Sequence, residues 1–157
     1  MTPQKSRPDR QAIALATLIE QTARSIYDQR GPAHLHPVQW SAMRFFARAN
    51  RRARSVAGLA RYLGVTLAPA SRTVSALKKH GMLTTEKDPD DARISVITLT
   101  EAGRRTLQDD PIQRLAHALD RLTDTQFDTM GQSLAQIVAW MAQDEDESET
   151  GDDPGDG

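Results

Sequence analysis

At 157 residues, with hydrophobic residues at 38% and aromatics at 4%, the chain has room for one domain with a largely aliphatic core. It has no cysteine, which excludes disulfides, thiolate metal sites and thiol redox sensing by the chain itself. The net charge of −1 hides an asymmetry, because residues 144–157 hold eight acidic side chains and no basic one, while residues 44–105 hold 13 Lys/Arg against 5 Asp/Glu. That basic middle fits either a polyanion partner, nucleic acid above all, or a solubilising charged face.

Residues 1–9 are polar, contain two prolines and are expected to be flexible. From about Asp9 to Arg30, Ala12, Leu15, Ile19, Ala23 and Ile26 fall on one face of a helix, which Gly31-Pro32 ends. A second helix is expected to start at Pro37, where a missing N–H costs nothing, and to run to about Asn50. Ser55 can cap a short helix over 56–63. Gly64-Val65 then makes a turn, and Thr66 caps a helix over 67–80, with Pro69 in its first turn and Gly81 as its stop.

The period then changes. Residues 82–86 and 94–99 are short β-branched runs separated by Lys87-Asp88-Pro89-Asp90-Asp91-Ala92-Arg93, which reads as a hairpin with a polar tip. Thr100 caps a helix that Asp110-Pro111 should interrupt. Thr123 with Gln126 forms a capping box for a last helix, on which Phe127, Met130, Leu134, Ile137 and Met141 have the spacing of a helix–helix seam. The acidic segment 144–157 is compositionally disordered.

The run from Val56 to Thr66 specifies a helix-turn-helix. Ala60 is small enough for two helices to cross closely, Gly64 allows the sharp turn, Val65 is expected to plug the space between the helices, and Leu77 anchors the second helix to the core. With a hairpin directly behind it, the expected fold is mainly α with a small two-stranded β-wing, a winged helix-turn-helix.

These segments resemble the MarR family of winged-helix transcriptional regulators. The likeness is carried by LGVTLAPASRTVSALKKHGML (63–83) and by the wing segment EKDPDDARISVITLTEAG (86–103), with Asp91, Arg93, Leu99, Thr100 and Gly103 in the family's D-x-R…LT-x-x-G pattern. It departs from that pattern at Ala92, where many relatives carry a second arginine. The resemblance implies one MarR-like domain over 10–143, with dimerisation helices at 10–36 and 104–143 around a DNA-binding lobe at 37–103. It further implies a homodimer reading a pseudo-palindromic operator in double-stranded DNA, usually as a repressor released by a small-molecule effector such as an aromatic acid or phenol.

Ser71, Arg72 and Ser75 are expected near the DNA-entering end of the recognition helix. Arg72 suits either a guanine edge or a phosphate. Thr66 and the free N–H groups of the first turn should hold a phosphate. Lys78 and Lys79 suit phosphates or a solvated face, and Arg54, with Arg51 and Arg52, forms a secondary basic cluster. Arg93 should reach the minor groove from the wing, oriented by Asp91. The apolar first turn, Leu67-Ala68-Pro69, points to specificity through thymine contacts and DNA shape.

Other signals weigh little. His34-x-His36 lacks a third ligand for a metal, and Asp88, Asp90 and Asp91 lack the glycine and final glutamate of a calcium loop, so neither a metal nor a cofactor is expected. No phosphate loop, nucleophile elbow or H-E-x-x-H is present, so the chain does not read as an enzyme. Trp40, Phe45 and His36 could wall an effector pocket, or the aromatics could be ordinary core. MTPQKSRPDR lacks the apolar stretch of a signal peptide and no segment approaches the roughly 20 apolar residues of a membrane span, so a cytoplasmic location is expected. The alternative function is a winged-helix protein-interaction module with no specific DNA site.

Overall fold

The structure, a computed structural model, describes residues 9–27, 34–88, 91 and 95–150, and the side-chain surroundings of all of these but Asp9 and 144–150. In chain order it comprises α1 (Asp9–Tyr27), α2 (Pro37–Arg48), a 3-10 turn (Arg51–Ala53), α3 (Val56–Leu63), α4 (Leu67–Lys79), β1 (Leu83–Lys87), β2 (Ser95–Leu99) and α5 (Glu101–Thr106). A second 3-10 turn (Leu107–Asp109), α6 (Ile112–Leu119) and α7 (Asp124–Thr150) follow. Two compact units divide the chain, Met1–Gln113 and Arg114–Gly157. The stop expected at Gly31-Pro32 and the wing tip around Arg93 lie outside the described residues.

Local chemistry sets most of these boundaries. Pro37 opens α2, and the N–H of His36 before it donates to Gln39 Oε1 at 2.8 Å. Ser55 Oγ accepts from Gly58 N–H at 3.0 Å and starts α3. Gly64, at φ +64°, ends it in the left-handed region that a side chain would disfavour. Asp110 and Pro111 separate α5 from α6, and Asp110 Oδ1 accepts from Ile112 N–H at 2.9 Å. The Thr123–Gln126 box opens α7, with Thr123 N–H donating to Gln126 Oε1 at 3.0 Å.

The core of the first unit lies where α2, α3, α4 and the hairpin meet. Trp40, Met43 and Phe46 of α2, Leu59 of α3 and Leu77 of α4 are its largest fully enclosed side chains. Leu83, Ile97 and Leu99 close it from the hairpin side. The hairpin is antiparallel, with Leu83 opposite Leu99 and Lys87 opposite Ser95. Its outer edge is not wholly open, because Ile97 N–H donates to the carbonyl of Arg54 at 2.9 Å and so ties β2 to the segment before α3.

The LT-x-x-G pattern behind the wing has a steric explanation. Thr100 Oγ1 donates to the carbonyl of Gly81 at 2.6 Å and accepts from Gly103 N–H at 3.0 Å, joining the end of the α4 turn to the start of α5. A Cβ at Gly103 would lie 2.2 Å from the Met82 carbonyl oxygen. Only a glycine lets α5 approach that closely.

Two expectations need correction. Val65 does not plug the helix crossing: it is 42% exposed, while Leu59 and Ala60 of α3 are buried in the core. The acidic segment is not without structure from residue 144, since α7 continues to Thr150. Once 20 residues of helix precede it, extension adds one hydrogen bond per residue fixed and needs no new nucleus, so acidic composition alone does not stop it.

Candidate nucleic-acid interface

The second helix of the helix-turn-helix presents a single exposed stripe. On α4, Ala70, Val74 and Leu77 face the core. Leu67, Ala68, Ser71, Arg72, Ser75, Lys78 and Lys79 are exposed. The helix contains no acidic residue. It therefore offers water a run of small hydroxyls and cations, with an apolar start.

Thr66 stands at the N-cap of α4 but makes no side-chain capping bond. The physical reason is Pro69, which occupies the third helical position and has no N–H for the threonine hydroxyl to accept from. The first turn thus presents the amides of Leu67 and Ala68 and an exposed threonine hydroxyl, a weaker anion cradle than the sequence pattern suggests.

The other expected site residues divide. Lys79 is exposed, whereas Lys78 Nζ hydrogen-bonds Thr85 Oγ1 and ties α4 to β1. Arg54 is half-buried, and its Nε donates to the carbonyl of Ala49 at 2.9 Å, satisfying the end of α2. Arg51 and Arg52 are exposed, and Arg51 Nε lies 3.4 Å from Asp88 Oδ2 at the base of the wing. Asp91 is half-buried and its N–H donates to Asp88 Oδ1 at 3.4 Å, as a turn former would. Arg93 lies outside the described residues.

The speculative pocket residues sit in three different settings. Trp40 is enclosed in the core, Phe45 is half-buried against Tyr62 with ring centroids 5.1 Å apart, and His36 is exposed at the N-cap of α2. Among the described residues no group of three or more His, Cys, Asp or Glu is placed to hold a metal ion. No helix among them is long and apolar enough to cross a membrane.

One polar cluster escaped the sequence reading altogether. Arg44 Nη1 lies 2.8 Å from both carboxylate oxygens of Asp110, and its Nη2 donates to Tyr27 Oη at 3.0 Å and Ser41 Oγ at 3.1 Å. The two charged side chains are 15% and 3% exposed. Burial works to lower the Arg44 pKa, but its hydrogen bonds to Asp110 and Tyr27 outweigh that and hold it above the ordinary arginine value. The network joins the end of α1, the middle of α2 and the entry to α6. The one hint in the sequence is a lone cation inside the apolar run Ala42-Met43-Arg44-Phe45-Phe46.

Together, a glycine-turned helix pair, a hairpin behind it and an acid-free exposed helix face define a winged helix-turn-helix protein. Comparison with known proteins narrows this. Residues 35–94 match the sequence model of the MarR family. Among solved structures, the MarR/EmrR family transcriptional regulator of Acinetobacter sp. ADP1 is 22% identical with a TM-score of 0.65, over 86% of this chain and 97% of that one. FabT of Streptococcus pneumoniae, solved in complex with DNA, is 16% identical with a TM-score of 0.68 over 86% and 97%. MepR of S. aureus bound to ethidium bromide is 14% identical with a TM-score of 0.54 over 86% and 96%. No curated protein matches the chain in sequence. The structural likenesses, at such identities, are likenesses of fold, and the sequence match runs from the start of α2 through the helix-turn-helix and β1. Over residues 35–94, then, the chain is similar to the MarR family, and its fold is the one those solved regulators share.

Proposed function

We propose that the chain is a cytoplasmic, sequence-specific regulator of transcription that binds double-stranded DNA as a homodimer, represses from a pseudo-palindromic operator, is released by a small-molecule effector, and is not an enzyme. The observation that carries this reading is the exposed face of α4, where Ser71, Arg72, Ser75 and Lys79 stand free of acidic neighbours on the helix that a helix-turn-helix inserts into the major groove. Arg93 on the wing is assigned the minor groove, and Thr66 and Lys78 a supporting backbone role. FabT, which shares the fold, has been solved on DNA.

The homodimer rests on a separate feature. Ile13, Leu15, Leu18 and Ile19 on α1, and Phe127, Met130, Leu134, Val138 and Met141 on α7, are all exposed in the single chain. Stripes of that extent on two long helices are more apolar surface than a monomer ordinarily leaves to water, and a second copy of the chain is the partner that covers both. The effector is supported by MepR, which shares the fold and has been solved with ethidium.

The test is fluorescence anisotropy of the purified protein on its own upstream DNA, titrated with salt against a scrambled duplex. The reading expects at least ~10³-fold preference for the cognate duplex and a steep fall of affinity with salt. Arg72→Ala should cost about 1–3 kcal/mol on the cognate duplex and far less on the scrambled one if it meets a guanine edge. Equal weak binding to every duplex, including ones drawn from the whole genome, would overturn it. An effector is recognised in the same titration as a compound that lowers the affinity.

A further inference from the structure

We infer that each half-site read by this lobe contains a thymine whose methyl group packs on Leu67 and Ala68, with a guanine for Arg72 about two base steps away. The inference rests on the DNA-binding reading above and deepens it to the bases recognised. It begins from a misplaced leucine. The core-facing positions of α4 are Ala70, Val74 and Leu77, and Leu67 continues their spacing of three and four residues. Helical periodicity therefore asks Leu67 to be buried, yet it is 59% exposed, because the first turn of α4 extends past the end of the lobe's core. Val65, just before it in the turn, is 42% exposed as well.

The chemistry of that turn narrows what can cover it. Pro69 removes one amide donor from the turn, and the side chains of Leu67 and Ala68 carry no polar atom, so neither can hydrogen-bond a polar base edge. The major groove has one apolar feature, the 5-methyl group of thymine. A helix entering N-terminus first sets Leu67 and Ala68 against it.

Arg72 follows Ala68 by four residues on the same exposed stripe, about 6 Å further along the helix. Base pairs repeat every ~3.4 Å, so the methyl and the guanine fork are separated by about two steps when α4 lies along the groove. Ser71 and Ser75 fill the stripe with short hydroxyls that do not keep the helix from approaching closely.

The experiment has two stages. The full-length protein selects duplexes from a pool randomised over 20 base pairs, and each thymine of the selected duplex is then replaced singly by deoxyuridine, which lacks only the methyl. One thymine per half-site, about two steps from a guanine, should weaken binding about four-fold when demethylated. In Leu67→Ala, whose exposed site makes misfolding no concern, that penalty should shrink toward none while overall binding is weaker. If specific duplexes are selected but no deoxyuridine matters, the thymine inference fails and DNA reading stands. If demethylation costs wild type and Leu67→Ala alike, the methyl acts through duplex shape and the assignment to Leu67 fails. If no sequence is enriched, the DNA-binding reading itself fails and this inference falls with it.

Discussion

The lobe from α2 to α5 and the two long helices α1 and α7 meet water in opposite ways. In the lobe, apolar side chains converge on one core and several of its polar groups are committed at short range: Ser55 and Thr100 cap helices, Arg54 closes the end of α2, and Lys78 braces the wing. Along α1 and α7 most of the large apolar residues face outward, and Ile26 is the buried hydrophobic among the described residues of α1. The lobe closes on itself, while the long helices carry surface meant for something else. A core that needs no partner can present its polar face to a ligand, whereas helices left apolar are the surface that the proposed homodimer would cover.

Four variants test that contrast, from the largest expected effect to the smallest. Asp110→Ala leaves the Arg44 guanidinium buried without its carboxylate and should cost about 3–5 kcal/mol in chemical denaturation. Because the Arg44 pKa is raised, its own ionisation adds full stability below the unfolded value and loses it only above, so this loss should be flat in pH around neutrality. If denaturation shows no loss, the tie between α1, α2 and α6 is ornamental and the lobe is independent of it.

Next, Met130→Ser with Leu134→Ser should weaken self-association by about 3 kcal/mol, on the order of 100-fold, with little change in unfolding of the monomer. Sedimentation at graded concentration measures this, and unchanged association would mean that α7 is not the seam. Gly103→Ala forces a Cβ onto the Met82 carbonyl and should destabilise the lobe by about 2 kcal/mol without touching association. Last, Ser55→Ala removes the cap of α3 and should cost about 1 kcal/mol, read as a shift of the thermal midpoint. A loss of association from either lobe variant would erase the division between the two regions.

The helices themselves were legible because their signals are local. Ser55, Gly64, Thr100 and the Thr123–Gln126 pair each act within four residues, and the structure places α3 and the hairpin within a residue or so of where these signals put them. The exposed α4 stripe was legible for the same reason, since one helix period sorts its residues into two faces. The wing's contribution through Arg93 stays an assignment from the family pattern.

What tertiary structure alone decided are the contacts between distant residues. Arg44 and Asp110 are 66 positions apart, and no spacing rule brings them together. Arg54 read as part of a basic cluster, yet its Nε serves a carbonyl five residues back, because the chain doubles over at the Arg51–Ala53 turn. Lys78 read as a phosphate contact or part of a solvated face, and its hydrogen bond to Thr85 across the α4–β1 turn is one that no spacing rule indicates. Val65 and Leu67 read as filler and helix start, and stand exposed because the core ends before it reaches them. The amino-acid sequence by itself determined which segments are helix, strand and turn, since backbone hydrogen bonding and capping are short-range. Which charges are spent inside the protein and which are left for a partner was decided only when those segments packed, because desolvation and ion pairing depend on neighbours that the chain order does not name.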